Sequence, residues 1–346
     1  MESVELRARV DSCTMGHMDG RPPLIDLHRH LDGSVRLATI LDLGRKFNIP
    51  LPAWTEEGLR PHVVVQEPHA GLVEFLKKFQ WMMAVLADEE SCRRVAYENV
   101  EDAAREGIRY IELRFSPCFM AEAHRLDPSA VVAAVVQGVR EGERDFGVRV
   151  NLIGILTRTY GPVVARRELR ALLDHKESIV ALDLAGDEGA KPAELFTEHF
   201  KTGRDAGWRV TVHAGEAAGA RSIVSAVDLL GAERIGHAVR AVDDPAVMEM
   251  LRARGIGIEA NLTSNVQTST VRDYAEHPLR RFLDEGLLAT INTDDPSISG
   301  IDLKHELDVA APAAGLTEAQ IAQALRNAWE IAFLEKEERE RLLGVV

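Results

Sequence analysis

Five times in this chain a helical stretch ends in glycine and passes at once into an apolar run: AREGIRY, RDFGVRV, RDAGWRV, RARGIGI and LDEGLLA. Such a joint suits a left-handed helix stop, so Gly107, Gly147, Gly207, Gly255 and Gly286 are predicted to be C′ residues with positive φ. Repeated along a chain, the joint implies short strands alternating with longer helices, the pattern of parallel strands linked by crossover helices. Eight strands are predicted: Leu24 to His28, Arg109 to Phe115, Val150 to Leu156, Ile179 to Leu184, Arg209 to His213, Arg234 to His237, Ile256 to Ala260 and Leu288 to Asn292. Between them, Gly71 to Glu90, Ala130 to Asp145, Pro192 to Ala206 and Asp244 to Arg254 carry apolar residues at helical spacing and are predicted to be outer helices.

The expected fold class is therefore α/β, a (β/α)8 TIM barrel. A helical insertion between strands 1 and 2, Ser34 to Glu106, would overhang one end as a lid. A length of 346 residues suits one such barrel with insertions. No low-complexity linker divides the chain, and the strand spacing is too irregular for a short-period solenoid. Residues 1–21 lack periodicity and run into Arg21-Pro22-Pro23; they are expected to be a loose extension ahead of a single domain at 22–346.

A net charge of −14 opposes any partner recognised by neutralising phosphates, so nucleic acid and anionic membrane surfaces are not expected. Cys13, Cys92 and Cys118 are odd in number and widely spaced, which gives neither a disulfide framework nor a cysteine metal site. The start, MESVELRARVDSCTMGHMDG, lacks the positive region and apolar stretch of a secretory signal. Runs such as Ala130 to Val136 and Trp81 to Ala87 fall short of the roughly 18 residues that span a bilayer. A cytoplasmic protein is the expectation.

The chemistry-bearing residues fall at the carboxyl ends of the predicted strands, where barrels of this class keep their active sites. In IDLHRHLDG, His28 and His30 stand two apart on a strand and project to one face. TVHAGEAAG ends strand 5 with His213 and sets Glu216 three residues on. INTDDPS ends strand 8 with Asp294 and Asp295 ahead of Pro296. Taken singly, each has a plain explanation: surface histidines, a core histidine, a turn. Together His28, His30, His213 and Asp294 offer three imidazoles and a carboxylate, a donor set that suits zinc with water completing the site. RIGHAV ends strand 6 with His237, either a further ligand or a base beside the bound water. Glu216 is left free to act as an acid.

In order and spacing, HRHLDG, LAGDE, HAGE, RIGHA, LTSN and NTDDP resemble the adenosine deaminase family, above all its bacterial members, from about Leu24 nearly to the carboxyl terminus. The resemblance implies one zinc ion per chain on His28, His30, His213 and Asp294, and a small-molecule purine nucleoside as substrate. It further implies that Glu216 protonates purine N1, His237 orients the attacking hydroxide, Asp295 faces N7, the Gly186 N–H meets N3 and Asp32 reaches a ribose hydroxyl, with His30 also close to the substrate. The reaction implied is deamination of adenosine, and of 2′-deoxyadenosine, to inosine and ammonia by zinc-activated hydroxide attacking C6. Glu216 must then be protonated, which requires a raised pKa.

The ligand design of editing-type deaminases, H-x-E with P-C-x-x-C, is missing from the sequence. Strand 4, IVALDLAG, has no lysine to bridge two metals, although Asp183 remains, so one ion is expected. Two positions depart from the family pattern: Ala238 stands where glycine is usual after the strand 6 histidine, and Ala260-Asn261 where a Ser-Cys pair is usual. HLDG favours a nucleoside over adenine or aminodeoxyfutalosine. Other activities to weigh are a catalytically inactive, deaminase-like binding protein and a barrel amidohydrolase acting on a cyclic amide. His62, His124, His175, His199, His277 and His305, like His17 and His69, lie outside the motifs and are expected at the surface.

Overall fold

All eight strands form in the computed structural model, which describes residues 21–66 and 71–344. They are β1 (Leu24–His30), β2 (Ile108–Phe115), β3 (Arg149–Thr157), β4 (Ile179–Ala185), β5 (Arg209–Ala214), β6 (Arg234–His237), β7 (Gly257–Ala260) and β8 (Ala289–Ile291). Each pairs in parallel with the next in chain order. The barrel closes just past β8: Asp294 N–H donates to the His28 carbonyl at 2.8 Å and His30 N–H to the Asp294 carbonyl at 2.8 Å. This seam brings the strand 8 carboxylate beside both strand 1 histidines. The five glycine joints have φ between 64° and 94°, as the left-handed stop requires.

The outer helices account for most of the remaining core. Pro128–Phe146 and Pro245–Arg254 match their predicted spans closely. The predicted helix over 192–206 opens instead with a 3-10 turn, Ala193–Phe196, before Thr197–Asp205. Gly71 to Glu90 is not one helix but two short ones, Leu72–Lys77 and Gln80–Ala84, followed by the cap of the next. In that last case Asp88 accepts from Ser91 N–H and starts a new helix, Glu89–Arg105.

The insertion is accordingly shorter than the sequence suggests. Glu89–Arg105 packs along Pro128–Phe146 as the barrel's regular first outer helix, at a spacing that Gly138 permits, since a Cβ there would lie 2.1 Å from the Arg93 carbonyl oxygen. What precedes it is the insertion proper, with helices at Leu37–Lys46, Glu56–Val63, Leu72–Lys77 and Gln80–Ala84. These lie against the loops after β2 and β8: Phe79 meets Phe119 edge to face, and Val65 N–H donates to the Ile298 carbonyl at 2.8 Å. The carboxyl end of the barrel is thereby covered. Phe75, Phe79, Met82 and Met83 are buried in the same core as the strands. Residues 1–20, most of the expected amino-terminal extension, lie outside the described residues.

Candidate metal centre and active site

Four strand ends converge on one buried point. The Nε2 of His28 lies 3.1 Å from Asp294 Oδ1, and the Nε2 of His30 lies 3.4 Å from the same oxygen and 3.2 Å from His213 Nε2. Donors bound at about 2.0–2.2 Å around one tetrahedral zinc stand about 3.3–3.6 Å apart. These side chains have the spacing of atoms sharing an ion. His28 Nε2 is also fully buried with no hydrogen-bond partner, a cost that a metal would remove. The residues present therefore fit the ion that the donor set implies.

What stands behind the rings decides where their lone pairs point. His28 Nδ1 lies 2.7 Å from Glu259, and His213 Nδ1 3.0 Å from Asp183. A carboxylate accepts, so both rings carry their proton on Nδ1 and offer a bare Nε2 to the centre. Arg114 spans the two carboxylates, 2.7 Å from each, beneath the site. Asp183 thus engages both Arg114 and His213. His237, the residue left open between ligand and base, stands at the same point from β6. Among the described residues one group of potential ligands lies mutually within 4.8 Å, and it is His28, His213, His237 and Asp294. However, His237 Nε2 is 3.9 Å from Asp294 Oδ2 and 3.7 Å from Glu216 Oε2, looser than the His30 contacts.

Local backbone geometry serves these contacts. A Cβ on Gly236, directly before His237, would lie 2.9 Å from His28 Cε1, so that position tolerates only glycine while His28 holds its place. In HLDG, a Cβ on Gly33 would strike Asp295 Oδ1. His237 and Asp294 both adopt the left-handed region, at φ 65° and 62°, a strain of about 1–3 kcal/mol each of the kind that collects at functional sites.

The electrostatics separate acids from bases. Burial raises the pKa of Glu216; His237 opposes the shift, and the charges of Asp294 and Glu188 add to it. Burial and then the charge of Asp294 hold Asp295 well above the usual carboxylate range. Asp294 is held well below it by His237, His28 and His30 despite its burial. Burial pulls His213 down to about 3 against the pull of Asp183, so it is neutral, as a ligand must be. His30 is lifted to about 9 because Asp295, Asp32 and Asp294 outweigh its burial. The acidic neighbours thus favour positive charge at the ring, which a bound metal ion would supply in place of a proton.

The remaining sequence-derived residues line the same end. Asp32 Oδ2 accepts from Ser116 N–H at 3.2 Å, while its Oδ1 and that of Asp295 are buried without hydrogen-bond partners. Gly186 follows β4 with φ 99°, and a Cβ there would meet Thr159 Oγ1 at 2.7 Å. Glu188 of LAGDE accepts from the N–H groups of Gly215, Glu216, Ala217 and Ala218 at 2.7–3.0 Å, which fixes the loop that carries Glu216.

Sequence reasoning passed over several of these supports. Glu259, the one charge in IGIEA, and Asp183 in IVALDLAG are carboxylates set in apolar strands, and that anomaly was the available signal. His199 and His277, expected at the surface, are buried instead. His199 Nε2 lies 2.9 Å from the Pro162 carbonyl, a core contact. His277 reaches the site through Asn265 of LTSN, its Nε2 lying 3.1 Å from Asn265 Oδ1.

Comparison with known proteins agrees with this architecture. A solved adenine deaminase from Arthrobacter aurescens superposes with a TM-score of 0.87 at 28% identity, over 93% of this chain and 97% of that one. An amidohydrolase from Burkholderia ambifaria, solved with bound Zn, gives 0.83 at 26%, over 95% and 92%. An adenosine deaminase from Klebsiella pneumoniae is 59% identical over 326 residues, 94% of this chain and 98% of its relative. The family model for adenosine deaminase matches residues 23–346, and the chain belongs to that family.

Proposed function

We propose that this protein deaminates adenosine, and 2′-deoxyadenosine, to inosine and ammonia, with one zinc ion held by His28, His30, His213 and Asp294. The observation that carries the reading is the juxtaposition of an ion-sized set of donors with Glu216, a buried carboxyl group whose surroundings favour its proton. High identity to the Klebsiella adenosine deaminase supports the reaction, and the Burkholderia amidohydrolase supports zinc. His30 is preferred to His237 as third imidazole because its Nε2 has the closer, ion-sharing distances. When bound, the ion supplies Lewis acidity that brings the pKa of water towards neutrality.

The chain's own groups do the rest. Glu216 donates its proton to purine N1, which drains electron density from C6 and opens it to the water oxygen; of the two water protons, one restores the Glu216 carboxyl and the other passes to the amino group, which leaves as ammonia. Asp295, kept neutral, has an O–H to donate to N7, an acceptor. Asp32 Oδ1 accepts from a ribose hydroxyl, and the Gly186 N–H faces N3. His237 orients the water.

Residues 22–346 act as one unit in this reading. It also places the protein in the cytoplasm, acting on a small molecule without nucleic-acid or membrane partners. The charge of −14 supports this, and among the described residues no helix is long and apolar enough to cross a membrane. The test is the ultraviolet absorbance change with adenosine, 2′-deoxyadenosine, adenine, AMP and aminodeoxyfutalosine, each with and without a chelator. Chelator-sensitive loss of the amino group, fastest with adenosine, is the expected outcome. Preference for adenine would move the substrate, and no turnover of any of the five would leave a binding protein.

A further inference from the structure

His237 stands on a different footing from the other site histidines, and its proton can be traced from the backbone. The Leu279 N–H can only donate, and it donates to His277 Nδ1 at 3.1 Å. His277 is buried, which pulls its pKa down to about 3 and leaves it uncharged. Its single proton therefore sits on Nε2, 3.1 Å from the side-chain oxygen of Asn265. This fixes the orientation of the Asn265 amide, whose nitrogen then donates to His237 Nδ1 at 2.9 Å. The Asn261 amide nitrogen stands 3.3 Å from the same ring nitrogen. A ring nitrogen that accepts carries no proton, so the ring proton of His237 lies on Nε2, on the side of Glu216 and Asp294.

We propose that Asn265 and His277 are positioning residues that lock His237 in its Nε2–H tautomer. So held, the ring is a hydrogen-bond donor to the nucleophilic water, and at Nε2 it can neither ligate the ion nor take a proton. The inference rests on the deaminase reading for the role of His237, but the tautomer is a property of the folded chain alone. Neither Asn265 nor His277 touches the reacting atoms.

The zinc-loaded full-length protein, labelled with ¹⁵N-histidine, provides the test, with the His237 signals assigned by their loss in His237→Gln. The expected spectrum shows a protonated, pyrrole-type Nε2 and an unprotonated Nδ1. Asn265→Asp is isosteric but can only accept from both neighbours, so it should move the proton to Nδ1. Turnover should then fall by about 10²-fold or more with KM altered by less than about threefold. Zinc content should stay at the wild-type level, because a bare Nε2 adds a donor. His277→Gln, whose amide can donate to the same oxygen, should restore the wild-type tautomer where His277→Leu does not.

Protonation of wild-type His237 at Nδ1 would overturn the proposal. So would an Asn265→Asp variant that keeps the wild-type tautomer and turnover. Loss of zinc or of folded protein in step with turnover in Asn265→Asp would mark a merely structural role and likewise overturn it. Failure of the deaminase reading would appear separately, as no chelator-sensitive deamination by the wild type, with the nitrogen spectrum unaffected.

Discussion

Two sides of the same cavity hold imidazoles in opposite ways. On the β1 and β5 side, His28 and His213 rest on carboxylates, Glu259 and Asp183, which accept a hydrogen bond from Nδ1–H and leave Nε2 bare. On the β6 and β7 side, His237 rests on the amides of Asn265 and Asn261, whose nitrogens donate hydrogen bonds to Nδ1 and leave the ring proton on Nε2. The rings are almost equally spaced, their centroids 4.7 to 5.2 Å apart. Ring spacing alone therefore does not distinguish these three histidines; the residue behind each ring does. A carboxylate backing leaves the bare Nε2 that a metal ligand needs, and an amide backing leaves the N–H that a hydrogen-bond donor needs.

The largest effect should come from the acid that faces both sides. Glu216→Gln keeps the shape and the hydrogen-bonding capacity but has no proton to give up, so turnover should fall by about 10²–10⁴-fold. Both walls are untouched, and zinc content by metal analysis should be unchanged. The pH profile sharpens the point. In the proposed role Glu216 acts protonated, and its folded pKa lies above the ordinary value, so wild-type activity should be present at low pH along this limb and be lost as pH rises through that raised pKa. The residual activity of Glu216→Gln should lack the limb. Near-normal turnover in the variant would remove Glu216 as the acid.

A smaller effect tests the carboxylate wall directly. Asp183→Asn converts the backing of His213 to the kind found behind His237. Its amide can donate to His213 Nδ1 and push the proton to Nε2, where it competes with the ion. Zinc affinity should drop by about 10–100-fold, measured by chelator titration, while Arg114 keeps its Glu259 partner at 2.7 Å and the fold survives. If affinity held while His213 Nδ1 accepted the amide proton, backing would not determine ligation and the contrast between the walls would fail.

The proposed metal ligands were far more legible in the sequence than their supports. His28, His30, His213 and Asp294 end strands whose boundaries could be read to within a residue or two, because helix stops at glycine and β-branched runs are local signals. Barrel closure then follows from topology. The supports come from elsewhere in the chain: Glu259 is 231 residues from His28, and His277 is 40 from His237. Such pairings depend on strand register and helix packing, which no local pattern encodes. His277 also sits in the polar stretch YAEHP, whose composition suggests surface, and only tertiary packing buries it. The over-long insertion had a related cause: the cap at Asp88 lies in ADEES, too polar to separate lid from barrel helix without seeing Pro128–Phe146 against it.

The smallest expected effect concerns Ala238, the departure from the family pattern that follows His237. Its φ of 53° lies in the left-handed region, where a Cβ costs roughly 1–2 kcal/mol, so Ala238→Gly should relieve strain on the amide side. Two opposing terms are of similar size. The methyl group is fully buried and its loss costs about 0.8 kcal/mol, and glycine loses about 0.5–1 kcal/mol more backbone entropy on folding. The net change in unfolding free energy by urea titration should lie within about 1 kcal/mol of zero. Turnover should be unaltered, because the Asn265 contact on Nδ1, not the residue following His237, sets the ring. A large loss of activity without loss of stability would show that the Ala238 methyl group itself holds His237, and the comparison would then turn on packing as well as on hydrogen bonds.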